Sequence, residues 1–169
     1  TQAEQACAAA PHGSCWLANN NAPGQVVIAG TPAGVDAARE AALALGVRRV
    51  VALDVGGAFH TPLLAGAAEA FRPVVATTRF ANTAIPVVAN TDARAYTDGG
   101  GWASRLVAHL VQPVRWRQSM LTLADLGATS LIEVGPGTTL TGLAARAVPE
   151  LDRRNCAVPA DIPRPLEVH

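Results

Sequence analysis

Gly56-Gly57-Ala58-Phe59-His60-Thr61-Pro62-Leu63 reads as the corner where a strand gives way to a helix, and it fixes how the rest of the chain divides. Upstream of it, Arg48 to Val55 reads as a strand. The paired glycines tolerate the positive φ of a sharp turn, and Thr61-Pro62 supplies a cap and a first-turn residue for a helix over Leu63 to Phe71. His60 therefore stands just before a helix N-terminus. There the positive end of the helix dipole disfavours imidazolium, leaving a neutral ring that can accept a proton near pH 7.

Toward the N-terminus, residues 2 to 10 read as the end of a helix stopped by Pro11-His12-Gly13, followed by a short strand over Cys15 to Asn19. Pro23-Gly24 make a turn, Gln25 to Gly30 a strand, and Thr31-Pro32 begin an alanine-rich helix that ends at Gly46. Helix, strand, strand, helix, strand is the order of a ferredoxin-like unit without its first strand, and residues 1–56 are assigned to such an incomplete small subdomain. That first strand is central in the unit, so the remaining strands are expected to carry unmet backbone groups.

Toward the C-terminus, Ile85 to Ala89 is an apolar run expected to form a buried strand. Gly99-Gly100-Gly101 precedes a helix with Leu106, Val107, Leu110 and Val111 on one face, ended by Pro113. Trp116, Met120 and Leu123 recur at helical spacing up to Gly127. Ser130 to Val134 reads as a strand leading into Gly135-Pro136-Gly137 and a helix from about Thr139. Helices and strands alternate through residues 57–148, which makes this part α/β. Residues 149–169 lose periodicity and gain Pro, Asp and Arg, the pattern of a surface tail of low order.

With 169 residues, 50% of them hydrophobic, the chain is long enough for one sizeable core. Its 13 basic and 13 acidic residues balance, so no global field gathers nucleic acid or an anionic membrane, and neither is expected as a partner. All the basic residues other than histidine are arginine; without lysine there is no Schiff-base chemistry and no Walker-type phosphate loop. Cys7, Cys15 and Cys156 are odd in number and share no CxxC spacing, which argues for reduced thiols and a cytoplasmic location rather than a disulfide framework or zinc. His12, His60, His109 and His169 have no metal-ligand spacing, so no metal site is expected. The Gly135-Pro136-Gly137 turn fails as a dinucleotide fingerprint because Leu140 occupies the third glycine position. No signal-like leader and no apolar run of membrane length is apparent.

A histidine at such a corner is, on its own, more often a structural residue bonding a loop carbonyl than a base. Its surroundings decide the matter. Gly-Ala-Phe-His-Thr-Pro-Leu, together with Asn21-Ala22-Pro23-Gly24-Gln25-Val26-Val27-Ile28-Ala29-Gly30, Gln112-Pro113-Val114-Arg115-Trp116 and Glu133-Val134-Gly135-Pro136-Gly137, resembles the malonyl-CoA:acyl-carrier-protein transacylase family. The resemblance runs to about Arg146 and covers only the C-terminal half of a typical member. It implies the C-terminal part of an α/β-hydrolase-like acyltransferase core beside the incomplete ferredoxin-like subdomain.

In that family a serine in a GHSxGE elbow takes the malonyl group from coenzyme A as an ester and passes it to the phosphopantetheine thiol of acyl carrier protein. The resemblance implies that His60 is the general base of this Ser-His couple. It also implies malonyl-CoA as a substrate rather than a cofactor, no cofactor at all, and acyl carrier protein as partner in fatty acid or polyketide biosynthesis. No GxSxG occurs here, and Ser14, Ser104, Ser119 and Ser130 lie in other contexts. The family's glutamine-rich oxyanion segment and malonyl-binding arginine are likewise missing, so the isolated chain is expected to be inactive and to need the N-terminal half as partner. A non-catalytic remnant that binds coenzyme A or carrier protein is the alternative.

Other positions match with two readings each. His109 falls where the family usually has glutamine and where hydrogen bonding orients the catalytic histidine; the contact runs through either the backbone carbonyl or the side chain, or His109 is a surface residue. Phe59 resembles the malonyl-selecting form of the motif, in which a bulky ring disfavours an α-methyl branch, and otherwise packs in the core. Arg48 and Arg49 match basic residues near phosphates of coenzyme A or the carrier protein's acidic surface, and otherwise are solvated. Asn21 and Asn90 match polar positions of the substrate pocket, with turn and backbone bonding as the plain explanation.

Overall fold

A computed structural model describes residues 1–161. Helix α1 (Gln2–Ala9) is started by a capping box in which Thr1 and Glu4 bond each other's backbone. Strands β1 (Cys15–Ala22) and β2 (Gln25–Gly30) form an antiparallel hairpin around the Pro23-Gly24 turn, where Gly24 takes φ 70°. Helix α2 (Pro32–Ala44) begins with Thr31, whose hydroxyl accepts from the Gly34 N–H, and Pro32 in its first turn. It stops at Gly46, φ 82°, where the Gly46 N–H donates to the Leu43 carbonyl and the Val47 N–H to the Ala42 carbonyl. These paired bonds are the Schellman termination that a glycine beyond the last turn permits. Helices α1 and α2 pack on one another and on the hairpin, burying Ala10, Cys15 and Ala38.

The strand expected over Arg48 to Val55 does not form: these residues have no ladder partner, and Val51, Leu53 and Val55 are exposed. Strand structure needs a neighbour to take its N–H and C=O groups, and the sheet formed by β1 and β2 has no third strand among the described residues. Residues 48–55 therefore run as unpaired chain between α2 and the His60 corner.

Past the His60 corner, a short 3-10 turn (Pro62–Leu64) runs into α3 (Ala65–Ala76), which extends beyond the expected Phe71 and accommodates Pro73. The run Ile85 to Ala89 is corrected as well. Only Val87 and Val88 form a strand, β3 (Val87–Val88), paired with β4 (Ala95–Tyr96), and Ile85 is 76% exposed rather than buried. Helix α4 (Trp102–Val111) lies against α3, with Val107 buried between Ala68 and Val75 and with Leu106, Leu110 and Val111 packed around them. Helix α5 (Trp116–Asp125), strand β5 (Ser130–Val134) and helix α6 (Thr139–Ala147) follow as the periodicity indicates.

The segment after Pro149 overturns the expectation of a low-order tail. Asp152 to Cys156 forms β6 (Asp152–Cys156), parallel to β5 in a continuous register from Ser130↔Asp152 to Val134↔Cys156. Leu151 and Val148 just before it are buried with Met120 and Ala144. The sequence Asp-Arg-Arg-Asn-Cys of β6 hid it, because neither face of this strand carries the apolar alternation that signals a sheet. Residues 162–169, the rest of the expected tail, lie outside the described residues. No helix among the described residues is long and apolar enough to cross a membrane.

Candidate active site

The corner is built differently from its sequence reading. Gly56 and Gly57 keep negative or extended φ, and the left-handed residue is His60 itself, φ 61°. A non-glycine residue there carries about 1–2 kcal/mol of steric cost, so neighbouring contacts must hold it. Two do. Thr61, fully buried, donates its hydroxyl to the Ala58 carbonyl at 2.6 Å rather than capping a helix N–H, and the His60 ring is bonded to α4. The Thr61 carbonyl in turn accepts from the Leu64 N–H, which starts the 3-10 turn.

His60 Nδ1 lies 2.8 Å from the backbone carbonyl of His109. A carbonyl offers only lone pairs, so Nδ1 must carry the proton and donate it. In the neutral ring this leaves Nε2 with its lone pair, the state required of a base whose other nitrogen is held by the protein. The hydrogen bond from His60 to residue 109 thus runs to the backbone carbonyl and not to the side chain.

The His109 side chain is also present at the site. Its ring centroid is 4.8 Å from that of His60 with the planes at 34°, and its Nε2 is buried without a hydrogen-bond partner. Burial, and secondarily a charge on His60, holds the His109 imidazole below its ordinary pKa, so it favours the neutral form. His109 is not a free surface residue.

Phe59 is half exposed, and its ring folds back over Gly57, 3.4 Å from where a Cβ would stand. Core packing is not its role. Asn21 sits at an irregularity of β1, between the register positions of Asn20 and Ala22, and Asn90 follows β3 with its carbonyl accepting from the Arg115 N–H at 2.9 Å. Arg48 and Arg49 are exposed and enter no side-chain hydrogen bond or ion pair among the described residues. The structure therefore joins His60 to His109 and leaves the arginines apart from any partner. Thr61 was read from sequence only as a cap; a threonine before proline that is wholly buried is the feature that marks it as a brace for the corner.

An apolar groove between α5, α6 and β5, lined by Met120, Leu123, Leu131, Leu140 and Ala144, includes no residue of the His60 corner. Glu133 at the end of β5 accepts from the N–H groups of Leu140 and Thr141 at 3.0 and 2.7 Å, so this acidic side chain caps α6. The Thr141 hydroxyl, which also donates to it, foremost, and then these backbone donors, hold its carboxyl below the usual glutamate range. No group of three or more His, Cys, Asp or Glu side chains able to hold a metal occurs among the described residues.

No protein-family model matches the chain. It is 41% identical over 140 residues to the malonyl CoA-acyl carrier protein transacylase of Synechocystis, covering 82% of this chain and 46% of that protein. The transacylase of the same name from Bacillus subtilis is 36% identical over 152 residues, covering 90% of this chain and 47% of its own length. The crystal structure of an acyl carrier protein S-malonyltransferase from Vibrio cholerae superposes with a TM-score of 0.90 at 35% identity, over 95% of this chain and 53% of that one. A malonyl-transacylase solved in complex with a type II polyketide-synthase acyl-carrier protein gives a TM-score of 0.89 at 33% identity, over 95% of this chain and 52% of that one. The chain spans about half the length of the relatives it matches. With nearly all of its own length aligned to named transacylases and about half of theirs accounted for, the chain belongs to the malonyl-CoA:acyl-carrier-protein transacylase family as its C-terminal half.

Proposed function

We propose that this chain supplies the histidine of a Ser-His couple that moves malonyl from coenzyme A to the phosphopantetheine thiol of acyl carrier protein. The observation that carries the proposal is the Nδ1 contact of His60 with the His109 carbonyl, which leaves the Nε2 lone pair as the proton acceptor. The serine, the oxyanion donors and the malonyl-binding arginine come from the N-terminal half of the acyltransferase. His60 takes the serine proton as the oxygen attacks the thioester, and returns it to the departing coenzyme A thiolate. In the second half-reaction it takes the proton of the carrier thiol, and the serine leaves with it. No cofactor enters either step, and malonyl-CoA is consumed as substrate.

Phe59, exposed beside His60, would face the malonyl pocket with Asn21 and Asn90, and Arg48 and Arg49 would meet phosphate or the acidic carrier surface. Solvent-exposed arginines free of internal partners are suited to that task. The setting is fatty acid or polyketide assembly in the cytoplasm.

The test is reconstitution with a separately expressed N-terminal half that carries a GHSxGE segment, read as malonyl mass added to holo carrier protein. The chain alone should give none, since loss of an oxyanion donor by itself costs about a hundred- to a thousand-fold. The mixture should transfer, and His60→Ala in it should lose about a hundred- to ten-thousand-fold. Undiminished transfer by His60→Ala would sink the assignment. The absence of any GxSxG from the chain favours a second reading, a remnant that binds without chemistry. Retention of malonyl-CoA or carrier protein by a mixture that never transfers malonyl would establish that one.

A further inference from the structure

One hydrogen bond to a carbonyl fixes a single atom of the His60 imidazole. Rotation about Cβ–Cγ would break that bond and carry Nε2 away with the ring, and the left-handed backbone of residue 60 does not by itself lock the side chain. The second contact on the ring is the face of His109. Its centroid is 4.8 Å away at an interplanar angle of 34°, within the range of an offset aromatic pair. The His109 ring is itself held, since its Nε2 is buried and it belongs to α4, whose apolar face is packed on α3.

Protonation of His109 would commit its buried Nε2 to an N–H donor with no acceptor, beside a ring that must itself take up a proton. Burial and the proximity of His60 both oppose it. His109 is therefore suited to act as a neutral surface rather than as an acid or a base. We propose that the imidazole of His109 is a positioning residue: its face holds the His60 ring so that Nδ1–H stays on the residue 109 carbonyl and Nε2 keeps the free lone pair. This rests on the assignment of His60 as the base for its catalytic meaning, but its geometry can be tested without any turnover.

The measurement is the tautomer of His60 in the chain as it stands, from long-range ¹H–¹⁵N correlation at pH about 8.5, roughly two units above the ordinary imidazole pKa. His109→Gln keeps the backbone carbonyl and removes the ring; His109→Phe keeps a ring face and removes the nitrogens. The wild-type chain and His109→Phe should both hold His60 as the Nδ1–H tautomer. His109→Gln should lower the Nδ1–H to Nε2–H ratio by about two- to threefold, the factor expected at the weaker end of aromatic pairing. His109→Leu, a good helix former, is the second ring-free variant and should behave like His109→Gln if that one fails to fold. A ring-free variant with an unchanged ratio, or a His109→Phe variant that falls as far as they do, overturns the proposal. Failure of malonyl transfer by the reconstituted wild type, with the tautomer responding to the His109 variants as expected, would count against the transferase assignment alone.

Discussion

Asn19 and Val114 face each other across a parallel β-bridge. The Val114 N–H donates to the Ala18 carbonyl at 2.8 Å, and the Val114 carbonyl accepts from the Asn20 N–H at 2.9 Å. The next residue, Arg115, donates its N–H to the Asn90 carbonyl. One short segment after α4 thus ties the β1–β2 hairpin, including the strand with Asn21, to the loop with Asn90. Since α4 carries His109, the same segment connects these polar positions to the His60 corner through the backbone.

Replacing Val114 by proline tests that connection. Proline removes the N–H and leaves the nearly buried Ala18 carbonyl without its donor, which costs about 1–3 kcal/mol. The expected result is a lower midpoint in urea and faster hydrogen exchange at the Asn20 amide. Retained protection at Asn20 would show that the bridge does not hold the two parts together.

Thr61 should matter more than its position before a short 3-10 turn suggests. Thr61→Val keeps the shape and removes the buried hydroxyl that donates to the part-buried Ala58 carbonyl, at a cost of about 0.5–1.5 kcal/mol. Thr61→Ser should recover most of the loss. Denaturant midpoints of the two variants check this, and equal destabilisation by both would assign the effect to lost packing.

The lowered pKa of His109 gives stability a definite pH slope. In the unfolded chain its imidazole titrates near the ordinary value of about 6.5, and in the folded chain it holds its proton less tightly. Its contribution is therefore complete above about pH 6.5 and is lost as the pH falls below that value, because the unfolded state then binds more protons. Thermal midpoints measured from about pH 7 down to about pH 5 should fall for the wild-type chain and fall less for His109→Gln. Equal slopes would mean that His109 titrates normally.

Cys7 and Cys15 bring their sulfurs to 3.6 Å between α1 and β1. Burial foremost, then Cys15, pushes the Cys7 thiol up to about 12, and burial raises Cys15 as well. Since the thiolate is the reactive form, both should alkylate more slowly at pH 8 than an exposed thiol of pKa about 8.5. For Cys7 the rate should climb about tenfold per pH unit while it remains below its pKa. Iodoacetamide time courses resolved by peptide mass provide the check, and a rate equal to that of the unfolded chain would contradict the burial.

Elements legible in the sequence are those that carry their own signals: Thr31-Pro32 and Gly46 around α2, Pro113 after α4, Gly127 after α5. Strands fared worse for a physical reason. Val51, Leu53 and Val55 have the composition of a strand but no neighbour to bond, whereas Asp152 to Cys156 is rich in polar residues yet is paired by β5. Pairing is a property of the surroundings, which composition does not report. At the site, His60 and His109 were recognisable from motifs, but the left-handed backbone of His60 and the stacking of the two rings depend on how α3 meets α4.

β6 gives the sharpest contrast between the two kinds of information. Ending the chain at Glu150 would remove Leu151 from the cluster with Met120, Ala144 and Val148, and would leave β5 without its ladder partner. Leu151→Ala removes only the packing and should cost about 2–5 kcal/mol. The truncation removes the ladder as well and should lower the melting temperature further, beyond the roughly 5–15 °C expected for the point variant in a chain of this size. A low-order tail would predict no change on truncation. If truncation and Leu151→Ala are equally destabilising, the apolar contact anchors the C-terminal segment and the five-residue ladder adds nothing measurable; if truncation is clearly worse, β6 is a working strand of the sheet.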